Sequence, residues 1–140
     1  ATQALLVKTD SGIMGLEDLK GKILAVQTDT TGQKYAEDHK AEYGYEVKVY
    51  DDMPTAANAV LAGNAAANIN DNGVVFDFAK DNPTTTVVKE FETGEHYGFN
   101  TAKDNPAMLT AINDALKAAK ADGTYNTIYK KWFGVDAPTE

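Results

Sequence analysis

Short apolar runs alternate with helical stretches over most of the chain, and this alternation restricts it to a layered α/β fold. The clearest run is 23–26, which predicts a buried strand, and the polar turn 28–32 follows it. The other predicted strands are 4–7, 45–49, 67–70, 86–89 and 97–99. The predicted helices between them are a brief one at 15–21 and longer ones at 32–42, 54–63 and 71–80.

Two amphipathic helices are predicted at the end of the chain. Asn105 and Pro106 form a cap with proline in the first turn, and Gly123 and Gly134 are stop signals. The apolar faces are Met108, Ile112, Ala115, Leu116 and Ala119 on the first helix, and Tyr125, Ile128, Tyr129, Trp132 and Phe133 on the second. Burial of five such side chains is worth about 10 kcal/mol at about 2 kcal/mol each, so we expect these faces to be covered.

The composition excludes several classes of function. The 140 residues have a net charge of -8 with no cysteine, and every basic residue is a lysine. An acidic domain without arginine does not suit a phosphate backbone, so no nucleic-acid partner is predicted. Absence of cysteine excludes disulfides, thiolate nucleophiles and sulfur-ligated metals. His39 and His96 have no metal-ligand spacing, so neither a metal nor another cofactor is predicted.

The first candidate binding element is the turn 27–32 after the clearest strand. A turn rich in threonine that leads into a helix offers backbone N–H groups and hydroxyls to an anion. It lacks the glycine and Gly-Lys-Ser/Thr ending of a Walker loop. An alternative is a simple N-cap cluster, in which Asp29, Thr30 or Thr31 satisfies helix donors.

The second candidate is the segment 70–73, between a strand and a helix. The carboxylate of Asp71 could bind a ligand ammonium group, although an aspartate at such a position is by itself more often a helix cap. Both candidate turns follow strand carboxyl ends, and open α/β sheets bind ligands outside those ends. One turn offers donors to an anion and the other a carboxylate to a cation, which together suit a zwitterion.

The residues do not favour an enzyme. Asp51 and Asp52 after a strand suggest a phospho-acceptor pocket, but the remaining residues of such a pocket are missing. The carboxylates are too scattered for a hydrolytic pair, and Ser11 is the single serine, with no associated histidine. Tyr125, Tyr129 and Trp132 have helical spacing, which favours a packing face over an aromatic stacking box.

Three segments resemble the polar amino-acid substrate-binding proteins of ABC importers: 15–22 (GLEDLKGK), 25–36 (AVQTDTTGQKYA) and 122–134 (DGTYNTIYKKWFG). The resemblance extends over the whole chain and implies a lobe of the periplasmic-binding-protein type II fold, with an open sheet in three layers. Residues 1–100 correspond to the second, ligand-binding lobe. Residues 101–140 correspond to two helices that in the family return to the first lobe, whose N-terminal part this chain lacks.

The resemblance also implies the site. The N–H of Thr31 and the hydroxyl of Thr30 would bind the ligand carboxylate, and Asp71 would bind its ammonium group. Gln27 and Asn70 would lie near the ligand side chain. The family's carboxylate-binding arginine and aromatic sandwich belong to the missing lobe.

Two departures from the family accompany the missing lobe. Asp29 stands where the family usually has glycine, and Ala66 where an acidic residue commonly precedes the following strand. They are consistent with an engineered or truncated chain. The chain has no signal peptide and no apolar run of about 20 residues. The family implies a periplasmic or extracytoplasmic location and an ABC importer permease as a partner.

The principal hypothesis is a non-enzymatic amino-acid-binding lobe that binds a polar amino acid weakly or undetectably by itself. A second hypothesis is an interaction module that forms a homodimer by exchange of the C-terminal helices. A third is a lyase-like enzyme on the same fold, for which Asp71 alone gives little basis.

Overall fold

The computed structural model describes residues 1–134 and 136–138, and the chain divides into two units, Ala1–Glu95 and His96–Glu140. The strands of the first unit are β1 (Thr2–Lys8), β2 (Ile23–Gln27), β3 (Glu46–Tyr50), β4 (Ala67–Asp71) and β5 (Thr85–Glu92). Its helices are α1 (Thr31–Tyr43), α2 (Met53–Leu61), α3 (Asn72–Asp81) and a 3-10 helix at Leu16–Leu19. The second unit contains α4 (Pro106–Ala121) and α5 (Thr124–Phe133).

The five strands form one mixed sheet in the order β3-β2-β4-β1-β5. Strand β2 is parallel to β3 and β4, whereas β1 is antiparallel to both β4 and β5. The carboxyl ends of β2, β3, β4 and β5 therefore meet at one edge, together with the amino end of β1. We call this the carboxyl edge; it contains Gln27, Tyr50, Asp71, Glu92 and Thr2.

The sheet is buried on both faces, as the three-layer prediction requires. On one face the side chains of Leu5, Leu24 and Ile69 pack with the 3-10 helix and with Ala36 of α1. On the other face Ala4, Leu6 and Ala25 pack against α2 and α3. Successive residues of β1 thus alternate between the two layers of helices.

Helix α2 begins at Met53, one residue before the predicted start at 54. Asp52 is its N-cap, and its Oδ1 accepts a hydrogen bond from the N–H of Thr55 at 2.7 Å, with Pro54 in the first turn. The backbone hydrogen bond from Thr55 holds the pKa of Asp52 below its ordinary value. This aspartate therefore has a structural role at the carboxyl edge.

The predicted strand at 97–99 is wrong, whereas the one predicted at 86–89 is confirmed and extends to Glu92. Tyr97 and Phe99 are 72% and 71% exposed, and the sheet in the described part of the chain ends with β5. Two aromatic residues around Gly98 imitate the alternation of a strand. A strand also needs a neighbour to pair with its backbone groups, and sequence alternation does not supply one.

Helices α4 and α5 have the predicted ends. The Asn105 Oδ1 accepts a hydrogen bond from Met108 N at 3.1 Å, and Gly134 ends α5 with a φ of 74°. The two helices pack on each other. The predicted burial of their apolar faces is not observed, because no side chain of either helix is fully buried among the described residues. None of the helices in the described ranges combines the length and the apolar character that a membrane crossing requires.

Tyr45, just before β3, offers a test of the layer between α1 and the sheet. Its side chain is buried, burial raises the pKa of its phenol, and its hydroxyl donates to the Ala36 carbonyl oxygen at 2.8 Å. Loss of this hydrogen bond in Tyr45→Phe should lower the free energy of unfolding by about 1 kcal/mol, measured by urea denaturation.

The matched control is Tyr50→Phe, which removes a hydroxyl from a partly buried tyrosine at the end of β3. No hydrogen bond of the Tyr50 hydroxyl is seen within the described residues, so this change should alter the free energy of unfolding by no more than about 0.5 kcal/mol. Equal losses in the two variants would contradict the role assigned to the Tyr45 hydroxyl.

Candidate functional site

The five residues singled out by the sequence all lie at the carboxyl edge. Gln27 ends β2, Thr30 and Thr31 begin α1, and Asn70 and Asp71 end β4. Asn70 links two of these elements, because its Nδ2 donates to Gln27 Oε1 at 3.3 Å and its Oδ1 accepts from Asp71 N at 2.8 Å. The polar residues of two neighbouring strands therefore form one connected group.

Thr30 has a capping role at the start of α1. Its Oγ1 accepts from Gln33 N at 3.1 Å and donates to the Gln27 carbonyl oxygen at 2.8 Å. The hydroxyl proton is thus committed to the backbone, and donation to a ligand carboxylate would require that bond to break. By contrast, the N–H groups of Thr31 and Gly32 lie in the first helical turn, where helix geometry provides no acceptor. These two N–H groups are the ones in this turn that could donate hydrogen bonds to an anion.

Asp71 occupies the N-cap position of α3, but its side chain makes no capping hydrogen bond. Its Oδ1 instead accepts from Nε2 of Gln3 at 2.7 Å. Asp52 occupies the equivalent position before α2 and does cap that helix. Capping therefore accounts for the carboxylate of Asp52 and does not account for that of Asp71.

Asp29 adopts a left-handed conformation with a φ of 55°, and it is exposed. Glycine adopts this conformation without steric cost, which explains a preference for glycine at this position. The Asp29 N–H donates to Gln33 Oε1 at 2.8 Å, so the side chain of Gln33 holds the turn in place. The carboxylate of Asp29 adds negative charge to the turn that the sequence predicts to bind an anion.

Gln3 and Glu95 also belong to the site, and the sequence analysis does not single them out. Gln3 is fully buried on β1, and its Nε2 lies within hydrogen-bond distance of Thr31 Oγ1 (3.2 Å) and Glu95 Oε2 (3.0 Å) as well as of Asp71. A polar residue on the face that carries Leu5 and Val7 is the one sequence signal for Gln3. Glu95 lies in the loop after β5, and no local pattern indicates its position.

The carboxylate of Glu95 is held by several donors. Burial raises its pKa, but hydrogen bonds from Thr31, Gln3 and Thr93 outweigh burial, so the pKa lies below its ordinary value. The distance from Thr93 Oγ1 to Glu95 Oε2 is 2.9 Å. Glu95 is therefore favoured in its charged form beside the start of α1.

A cleft of about 340 Å³ adjoins this group and shares Thr31 and Glu95 with it. Its other lining residues are Lys34, Tyr35, Asp38, Glu92 and Thr93. The ammonium group of Lys34 pairs with Asp38 at 2.7 Å, which leaves the two glutamates to determine the sign of the potential. Within residues 1–134 and 136–138, no three histidine, aspartate or glutamate side chains group as metal ligands.

Gly32 permits the close approach of α1 to the sheet. A Cβ at this position would lie 2.7 Å from Gln3 Oε1 and 3.2 Å from the Ile69 carbonyl oxygen. Both distances are below ordinary van der Waals contact. The absence of a side chain at Gly32 therefore keeps Thr31 within reach of Gln3.

The variant Gly32→Ala tests this close approach. Alanine usually stabilises a helix relative to glycine by about 1 kcal/mol. Here the clash with Gln3 and the β4 backbone should reverse the sign and destabilise the protein by about 1–3 kcal/mol. The measurement is the free energy of unfolding in urea.

The control is Gly98→Ala, because a Cβ at Gly98 would have nothing within 4 Å and the residue has no left-handed φ. We expect little change there. Stabilisation by Gly32→Ala would show that α1 is not held against Gln3 as described.

The comparison with protein families identifies one match, to the bacterial extracellular solute-binding proteins, family 3, over residues 1–135. A glutamine-binding protein of an ABC transporter, GlnH of Bacillus subtilis, is 36% identical over 138 residues, which are 97% of this chain and 50% of the relative. ABC transporter arginine-binding protein 1 of Escherichia coli is 36% identical over 121 residues, 83% of this chain and 49% of the relative.

Solved structures of amino-acid-binding proteins match the fold of this chain. An ancestral arginine-binding protein bound to glutamine matches with a TM-score of 0.78 and 39% identity, over 96% of this chain and 60% of that chain. An ancestral arginine-binding protein bound to arginine matches with a TM-score of 0.76 and 39% identity, over 95% of this chain and 60% of that chain. The chain spans about half the length of the curated relatives it matches.

Proposed function

The chain belongs to the bacterial extracellular solute-binding proteins of family 3, and from this we propose that it is an amino-acid-binding lobe without catalytic activity. The relatives described above are named as glutamine- or arginine-binding proteins. A polar amino acid is therefore the proposed ligand, and an ABC importer permease is the proposed partner of the full-length protein. A periplasmic or other extracytoplasmic location is proposed from the family description.

The observation that carries this proposal is the arrangement of Asp71 beside the first turn of α1. The carboxylate of Asp71 does not cap α3, and Gln3 Nε2 contacts both Asp71 Oδ1 and Thr31 Oγ1. The Asp71 carboxylate, which can bind a cation, and the N-terminus of α1, whose N–H groups can bind an anion, thus both lie close to one nitrogen atom. An α-amino acid has its ammonium and carboxylate groups on a single carbon, and it suits such a pair.

In the proposed complex, the N–H groups of Thr31 and Gly32 bind the ligand carboxylate and Asp71 binds the ammonium group. Thr30 holds the turn in shape through its bonds to Gln27 and Gln33. Gln27 and Asn70 lie at the adjacent strand ends, where they can contact a polar ligand side chain. The proposal keeps all five predicted residues and gives Thr30 a supporting role.

The affinity of the chain by itself should be low. It has no arginine to form a bidentate pair with the ligand carboxylate, and one wall of the site faces solvent in this proposal. Hydrogen bonds to charged groups contribute about 1.5–3 kcal/mol each, while a dissociation constant of 1 mM corresponds to about 4.1 kcal/mol. Two such interactions contribute about 3–6 kcal/mol before the cost of association is subtracted, so we expect a dissociation constant of about 1 mM or weaker.

We expect glutamine, glutamate, arginine or histidine to shift the backbone amide resonances of Thr31, Gly32 and Asp71 with a dissociation constant of about 1 mM or weaker. The measurement is an NMR titration of the isotopically labelled chain. Asp71→Asn should weaken binding of the preferred amino acid at least about tenfold, because it removes the charge that faces the ammonium group.

The control for that variant is Asp52→Asn, which neutralises an aspartate of the same edge that caps α2. It should leave the affinity unchanged. Absence of shifts at the highest soluble ligand concentration would contradict amino-acid binding. Micromolar affinity would contradict the low affinity proposed for the chain by itself.

The exposed apolar residues of the second unit support an accompanying proposal, a homodimer through the C-terminal helices. Met108, Leu109, Ile128 and Trp132 are each about half exposed or more. Exchange of an element between two copies can cover such a face at low cost. The lyase alternative has no comparable support, since the relatives are named as binding proteins.

Light scattering tests the dimer. The mass should increase with protein concentration, and Met108→Glu should shift the equilibrium to the monomer because it places a charge in the apolar face. Met14→Glu changes another exposed methionine, 65% exposed against 50% for Met108, and should have no effect. A strictly monomeric chain at high concentration would contradict the exchange.

A further inference from the structure

We propose that Gln3 is the positioning residue of the ligand site, holding the carboxylates of Asp71 and Glu95 and the start of α1 in the arrangement that receives a ligand ammonium group. This inference rests on the proposed function. It goes beyond the residues that the family resemblance implies, because Gln3 and Glu95 are not among them.

The strand register brings Gln3 to this position. In the antiparallel pair of β1 and β4, Gln3 lies opposite Asp71, and on the other side of β1 it lies opposite Phe91. The side chain is fully buried beneath Thr31 and Gly32 of α1. Gln3 therefore contacts three elements of the site, the end of β4, the start of α1 and the loop after β5.

The hydrogen-bond pattern of this amide is unusual. Three acceptors, Asp71 Oδ1, Glu95 Oε2 and Thr31 Oγ1, lie within 2.7–3.2 Å of Nε2, which has two hydrogens. The opposite amide orientation would place Oε1 against two carboxylates, so the surroundings determine which atom faces them. A ligand ammonium group that approaches Asp71 can take over one acceptor and release a hydrogen of Gln3 to the others.

The amide also explains how two carboxylates stay close together. Asp71 Oδ1 and Glu95 Oε2 both lie within about 3 Å of the same nitrogen, hence within about 6 Å of each other, a range in which like charges oppose each other. The shared donor offsets that repulsion. A ligand ammonium group at Asp71 would thus face the charge of Asp71 and, beside it, that of Glu95. These two charges favour a ligand with a free α-ammonium group over one whose amine is acylated and therefore neutral.

The structure provides a matched control for mutation of Gln3. Asn68 on β4 is likewise a fully buried amide, and in both side chains the amide oxygen has no hydrogen-bond partner. Asn68 Nδ2 donates to the Ala25 carbonyl oxygen at 3.0 Å, away from the candidate ligand residues. Gln3→Leu and Asn68→Leu therefore both remove a buried amide, and only the first removes the contacts of the site.

The first measurement needs no ligand. The pKa of Glu95, followed by NMR of its side-chain carboxyl carbon, should rise by at least about half a unit in Gln3→Leu, because a hydrogen bond to the charged form is lost. It should be unchanged in Asn68→Leu. An unchanged pKa of Glu95 in a folded Gln3→Leu protein would overturn the proposal.

The second measurement is the preference for a free ammonium group. The probes are L-arginine and N-acetyl-L-arginine, titrated by NMR. Acetylation converts the α-ammonium group to a neutral amide and leaves the guanidinium charge of the side chain in place. The original chain and Asn68→Leu should prefer arginine at least about tenfold, and Gln3→Leu should lose most of that preference.

If Gln3→Leu does not fold, Glu95→Gln provides the test, because it leaves Gln3 in place and removes one carboxylate. It should reduce the preference for arginine over the acetylated probe about threefold or more. An unchanged preference in that variant would overturn the proposal. If the original chain binds arginine and Gln3→Leu keeps the same preference, the positioning role alone is contradicted. If the original chain binds neither probe and no other amino acid, the proposed function itself is contradicted.

Discussion

The insertion of β1 between β4 and β5, antiparallel to both, brings Gln3 and Glu95 to the edge where the other candidate functional residues lie. If β1 ran parallel to β4, its amino end would lie at the opposite edge of the sheet, and Gln3 could not reach Asp71. Because it runs in reverse, its first residues join the carboxyl ends of the parallel strands. The same reversal makes β5 finish at this edge, and the loop that follows brings in Glu95.

Local patterns in the sequence determine most of the elements, and the structure confirms them where the pattern has a physical cause within a few residues. The helix predicted from residue 54 begins at Met53, and Asn105 and Pro106 predict the start of α4. The segment 97–99 shows the limit of this approach. A strand is a property of two segments, so the composition of one cannot establish it.

The site shows the same limit in its side chains. Asp52 and Asp71 both follow a strand and precede a helix, and the sequence gives no reason to separate them. The structure separates them through a residue far along the chain, since Gln3 donates to Asp71 and Thr55 donates to Asp52. The residues near Asp71 make it a candidate but leave a helix cap open, and the resemblance to a family is what implies the role of binding the ligand ammonium group. The positions of Gln3 and Glu95 in the site result from contacts between residues at opposite ends of the first unit, so local sequence patterns cannot predict them.

The burial of Gln3 links the stability of the sheet to the charge of the site. A buried amide without partners is costly, and Gln3 already has an unpartnered Oε1. Its nitrogen is compensated because charged acceptors lie around it, and hydrogen bonds to charged groups contribute more than those to neutral ones. Removal of these carboxylates would leave the amide uncompensated within the core. The acidic character of this edge therefore stabilises the buried amide of β1, and it is also what the proposed ammonium ligand requires.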